Sequence, residues 1–197
     1  MRARTLLTAA LACAVVAAMG SDVAAQAPAG RGGGGGRGGR GDGIIPPLLM
    51  KTDAFEDGGI IPERYAGRGG NVRPGFTFSS IPDGAVSFAI IFHDLDVAVI
   101  GADDVLHWLA WNIPATAAGI PEGNLPEGAV TGTAGVGRGN YFGPGAPAGP
   151  RYHHYVFELY ALSKMLDLPA DATRVQLLDA IKDVIVGKAA YVGRFRQ

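Results

Sequence analysis

All four histidines of this chain fall where strand-like runs meet loops: His93-Asp94-Leu95-Asp96, His107-Trp108 and His153-His154-Tyr155. The last stretch follows Gly143-Pro144 by a few residues. Imidazoles beside carboxylates give tunable donors and acceptors near neutral pH, and such a set can bind an anion, hold a metal or move protons. On an extended strand alternate residues share a face, so Asp94 and Asp96 are expected to point the same way. If the next apolar run pairs antiparallel with the first, Asp94 and His107 reach one rim of a sheet.

The residue types narrow these chemistries. His93, Asp96, His107 and His153 are metal-ligand types, but no HxH or HExxH spacing joins them. No G-x-S-x-G is present, and Ser79, Ser80, Ser87 and Ser163 lack an elbow context, which argues against a serine hydrolase. The stretch GTAGVGRG from Gly132 to Gly139 matches neither phosphate-loop pattern. Small-anion binding needs only oriented imidazole N–H groups and glycine-rich backbone amides, so it fits all of these features.

The elements that must position these groups read as β-rich. Ser87 to Phe92 (SFAIIF) is a continuous apolar run of strand length, as in a buried central strand, and Trp108 to Ile113 (WLAWNI) is similar. Tyr155 to Leu162 is a third strand; Leu48 to Met50 and Phe76 to Phe78 are weaker ones, and Ala189 to Phe195 can return as the last. Thr173-Arg174-Val175-Gln176 fits a capping box that opens a helix. Val175, Leu178, Ile181 and Ile185 are expected on its buried face, with Gly187 as the stop. The long Gly/Pro-rich segment from Pro114 to Tyr152 reads as a functional or poorly ordered loop.

The 197 residues suffice for one domain with a core. Residues 1–25 read as a signal peptide: Arg2 and Arg4, an apolar run from Leu6 to Met19, then Val23-Ala24-Ala25. Its loss removes Cys13, the only cysteine, and with it disulfides and thiol chemistry. Residues 26–43 read as a flexible Gly/Arg linker without stacking aromatics, and the domain is expected over 44–197. A formal net charge of −1 argues against a dedicated nucleic-acid partner. The expected location is periplasmic or secreted, with no stable membrane insertion after cleavage.

Phe88 to Pro114 (FAIIFHDLDVAVIGADDVLHWLAWNIP), with Gly143-Pro144 and His153 to Leu162, resembles the phosphatidylethanolamine-binding protein family, in particular its bacterial Raf-kinase-inhibitor-like branch. The likeness runs on through Leu166-Asp167-Leu168-Pro169 to Tyr191-Val192-Gly193-Arg194-Phe195. It implies a mainly β fold, an antiparallel β-sandwich with peripheral helices, including one near the C-terminus. It also implies a small pocket for anionic or phosphorylated head groups. The matching positions are Asp94, Asp96, His107, Pro144, His153 and Tyr155, with His107 and His153 facing the bound oxygens and Asp94 tuning them. His93 and His154 would flank the pocket, at its rim or just behind the residues that line it.

The resemblance implies binding without catalysis, no cofactor, and room for a homodimer or a protein partner. The alternatives from other classes are a regulator or inhibitor of another protein and a His/Asp metal-assisted hydrolase. The chain departs from the family at three places. Leu95 stands where the family has Pro, often in a cis bond; a cis bond before Leu would cost about 2.5–4 kcal/mol, so a different local turn is expected. His154 replaces an Arg common in eukaryotic members, and the usual early cysteine is replaced near Ala66.

Overall fold

The computed structural model describes residues 47–97, 104–134 and 140–197. The signal peptide, the Gly/Arg linker, Cys13, Asp103 and most of GTAGVGRG lie outside the described residues.

The apolar runs become the centre of a six-stranded sheet. Strand β4 (Ser87–Asp94) pairs antiparallel with β5 (Val105–Pro114) on one side and with β8 (His153–Leu162) on the other. Outside these lie β9 (Ile185–Phe195), antiparallel to β8, then β2 (Gly59–Ile60), parallel to β9; β7 (Val130–Thr131) closes the far edge. A three-stranded sheet in the order β1 (Leu49–Lys51), β3 (Phe76–Ser79), β6 (Gly119–Ile120) packs on one face. Both weak strand candidates are therefore real.

Strand β4 is buried along its whole length, which explains why it shows no polar alternation. Phe88, Ile90 and Phe92 face the smaller sheet, with Phe76, Phe78, Phe157 and Tyr191. Phe92 and Phe157 stack with ring centroids 4.0 Å apart. Ala89 and Ile91 face the other way, into a second cluster with Leu109, Trp111, Leu166, Leu177 and Ile181. The fold is thus a β-sandwich whose larger sheet carries a helical cover on its outer face.

That helix, α1 (Arg174–Ile181), opens with the expected capping box: the Thr173 side chain accepts from the Gln176 amide, and the Gln176 side chain accepts from Thr173 N. Its buried face differs from the expected one. Leu177 and Ile181 are buried, Val175 is 77% exposed, and Ile185 already belongs to β9. A helix of two turns buries a single i, i+4 pair, and the chain reverses before Ile185 can join it.

The segment from Pro114 to Tyr152 is more structured than a loop. It holds a 3₁₀ turn (Ala115–Ala117), β6, β7 and a bridge from Tyr141 to Trp108. Asn112, with φ +56°, sits at an irregularity in β5; its amide donates to the Leu166 carbonyl (2.9 Å) and accepts from Leu166 N (2.7 Å). Among the described residues no helix is long and apolar enough to cross a membrane.

Candidate functional site

The end of the sheet where β4 stops is shaped by a bulge. Phe92 pairs with Trp108 and His93 with Leu106, so His107 is the extra residue on β5. A bulge re-aims a side chain without ending the ladder. His107 turns to the end of the sheet, where its Nδ1–H donates to the Phe142 carbonyl (2.9 Å). A carbonyl only accepts, so this bond fixes the ring and its tautomer.

Asp94, 1% exposed, is the buried hub beside it. Its Oδ2 accepts from His153 Nδ1–H (2.8 Å) and its Oδ1 accepts from Asp96 N–H (2.9 Å). Burial, together with the adjacent Asp94 charge, pushes the Tyr155 hydroxyl far above the ordinary phenol range, so Tyr155 stays neutral. The Tyr155 oxygen in turn accepts from Gly145 N–H (3.2 Å).

Over these groups lies a cavity of about 420 Å³ lined by Asp94, His107, Tyr155, Arg68, Asn71 and Tyr141, among others. Two loops form its wall. Asn71 adopts φ +52°, a left-handed conformation that Asn tolerates, and its side-chain oxygen accepts from Gly143 N–H (2.8 Å). Gly67 N–H donates to the Pro144 carbonyl (2.8 Å). The half-buried Arg73 guanidinium stacks on Trp108, 4.8 Å from the ring centroid. Among the described residues no acceptor meets its Nε or one of its Nη atoms.

Three of the six expected site residues, Asp94, His107 and Tyr155, line this cavity. The others are placed differently. Pro144 contributes its carbonyl to the wall rather than a lining surface. His153 is bonded to Asp94 from outside the cavity and lines a separate groove formed by Pro147 to Arg151. Asp96 turns away: its Oδ2 accepts from both the backbone (2.6 Å) and Nδ1–H (2.8 Å) of His154. Burial would raise the Asp96 carboxyl, but these His154 bonds outweigh it and hold it below the usual range.

The turn at Leu95 lies between Asp94 and Asp96. Among the described residues every peptide bond is trans, and the turn closes through Leu95 N–H to the His154 carbonyl (3.0 Å). His154, half-exposed, is paired with Asp96 outside the residues that line the cavity. His93, one residue from Asp94 on a strand, projects from the opposite face of the sheet. There it bonds Asp104, which also accepts from Arg174 at the start of α1. Burial would raise the Asp104 carboxyl, but the Arg174 bond and the His93 and Arg174 charges prevail and hold it low. The four metal-ligand types are thereby divided, and among the described residues no three His, Cys, Asp or Glu side chains are grouped to hold an ion.

The lining residues Arg68, Asn71, Tyr141 and Phe142 lay outside the sequence reading. Only the Gly-rich setting of Asn71 (GGNVRPG) hinted at a turn needing a left-handed residue.

Comparison with known proteins agrees with this architecture. A family model described as phosphatidylethanolamine-binding protein matches residues 51–196. A UPF0098 protein of Methanothermobacter thermautotrophicus is 37% identical over 155 residues, 76% of this chain and 99% of its own. A Mycobacterium tuberculosis protein named as a lipoprotein, LppC, is 40% identical over 149 residues, covering 76% of this chain and 72% of its own. Among solved structures, a phosphatidylethanolamine-binding protein homolog from Chlamydia trachomatis superposes with a TM-score of 0.71 at 29% identity, covering 77% of this chain and 98% of that one.

Proposed function

Since the chain belongs to the phosphatidylethanolamine-binding protein family, we propose that it is a non-catalytic binding protein working outside the cytoplasm, with a small anionic or phosphorylated ligand held in the cavity beside His107. The observation that carries this reading is the hub at Asp94, whose oxygens are occupied by His153 and the Asp96 amide. A carboxylate so engaged orients its neighbours and repels an incoming anion less than an exposed one would. Arg68 supplies donors on the cavity side, His107 lines it with its ring fixed by the Phe142 carbonyl, and the Arg73 guanidinium stacks on the buried Trp108. The cavity volume suits a small molecule with a polar head. The N-terminal apolar stretch and the relative named as a lipoprotein support the extracytoplasmic location.

Titration of the protein with inorganic phosphate, followed by imidazole NMR, tests the reading. The His107 and His153 resonances are expected to shift saturably at millimolar phosphate, while those of His93, on the far face of the sheet, stay still. A uniform response of all four histidines, or none, contradicts it.

A further inference from the structure

The face of the sheet turned away from the cavity carries a row of opposite charges that ligand contact does not explain. Asp104 stands immediately before β5, and both its oxygens are occupied: Oδ2 accepts from His93 Nδ1–H and Oδ1 from Arg174 Nη1–H. On the other side of the imidazole, His93 Nε2 lies 3.6 Å from Glu158 Oε2, too long for a hydrogen bond. Glu158 accepts instead from Lys188 Nζ (2.8 Å) and from the Tyr160 hydroxyl (3.1 Å). His93 is therefore oriented through Asp104, and its side chain is only 7% exposed.

Arg174 does not serve the helix it belongs to. It is the first residue of α1, whose first turn holds no acidic side chain, and a cation at that end opposes the helix dipole. Asp104 supplies a negative charge there from another element. Leu177 and Ile181 pack α1 into one cluster with Ile91 and Leu109, so Arg174 projects from a fixed anchor. The start of β5 needs such an anchor. β7 pairs with β5 only at Ala110 and Trp111, and on the other side the bulge at His107 interrupts the ladder with β4. Yet this stretch builds the cavity. Val105, the residue after Asp104, pairs with Asp94 across the strands, and Val105 and His107 both line the cavity.

We propose that Arg174, Asp104 and His93 form a clamp on the reverse of the sheet, which holds the entry of β5, and with it Val105 and His107, where the cavity can bind its anion. This rests on reading the cavity as an anion pocket. None of the three residues lines the cavity. They are positioning residues, and they act through the chain that runs from Asp104 to His107. An ionised acceptor strengthens both bonds to Asp104. The low exposure of the Arg174 and Asp104 side chains, 27% and 21%, limits their screening by solvent. The clamp is closed before any ligand arrives, so it lowers the cost of ordering the wall and does not move on binding. The His93 signals therefore stay still when phosphate binds the wild type.

Phosphate titration of Arg174 variants of the full chain, followed by imidazole NMR, tests the clamp, with amide hydrogen exchange as a second readout. Arg174→Gln is expected to weaken phosphate binding by about fivefold. It should also speed exchange over residues 105–107, a local opening that leaves the centre of β4 protected as in wild type. Arg174→Glu sets the clamp against the helix, since a glutamate at the helix start suits the dipole but repels Asp104. The clamp places its phosphate affinity below that of Arg174→Gln, whereas a role confined to the start of α1 places it level or above. Val175→Gln, next along α1 and 77% exposed, should match wild type. The proposal is overturned if Arg174→Gln binds phosphate as wild type does, or if Arg174→Glu binds as well as Arg174→Gln or better. Loss of affinity in Val175→Gln, or unchanged exchange over residues 105–107 in the Arg174 variants, overturns it equally. Failure of the pocket reading looks different: wild type itself then gives no phosphate response, and exchange over residues 105–107 decides the clamp alone.

Discussion

Replacing Asp94 with alanine is expected to lower stability by about 3 kcal/mol and to remove phosphate binding. The carboxylate is buried and accepts two bonds that nothing else supplies, from His153 Nδ1–H and from Asp96 N–H. Truncation strands both donors, and stranding a donor costs more than its hydrogen bond contributed, because water cannot return to it. His153 keeps some exposure, which holds the cost near the lower end of the range for a broken buried pair. Asp94→Asn separates the two effects. Its amide oxygen still accepts from Asp96 N–H, so the turn holds, while its NH₂ meets His153 Nδ1 and forces the other tautomer. Urea unfolding should place Asp94→Asn between wild type and Asp94→Ala, with phosphate affinity lost in both. Equal stability of all three proteins would show that Asp94 is not the hub.

Gly143→Ala is the second large effect, and it acts through the backbone. A Cβ on Gly143 would lie 2.0 Å from the Tyr65 carbonyl oxygen and 3.0 Å from Ala66 C and Gly67 N. These are main-chain atoms, so no side-chain rotation relieves the clash; one loop must move off the other. Moving it breaks the Asn71–Gly143 bond and the Gly67–Pro144 bond, and shifts the Phe142 carbonyl that orients His107. The expected loss is about 3 kcal/mol, at the upper end of ordinary overpacking, with weakened phosphate binding. Thermal unfolding checks the first and titration the second. Gly145→Ala is the internal control: a Cβ there meets nothing within 4 Å, and that variant should keep wild-type stability.

The parts of the fold legible in sequence are those set by local periodicity. SFAIIF is a strand buried on both faces, and its lack of alternation reported that correctly, because α1 and the smaller sheet cover opposite sides. The capping box marks the start of α1, but the helical spacing of apolar residues runs on through Ile185, past a reversal that periodicity does not register. In the site, Asp94 and His107 were legible as one rim, since antiparallel pairing follows from two adjacent apolar runs. The bulge that frees His107 from the ladder has no local signal. Alternation along β4 also places His93 opposite Asp94, so adjacency in sequence does not bring it to the cavity. Arg68, Asn71, Tyr141 and Phe142 reach the cavity from loops about seventy residues apart, joined by contacts such as Asn71 to Gly143 that no short window contains. The turn at Leu95 is trans and Asp96 bonds His154 instead of facing the cavity, an aim that no local pattern reports.

The most direct test of the central claim is a crystal grown without phosphate or sulfate and then soaked with phosphate at high resolution. The account predicts new tetrahedral density in the cavity, within hydrogen-bond distance of His107, and none beside His93. Density confined to surface arginines or to lattice contacts, with the cavity unchanged, would contradict it.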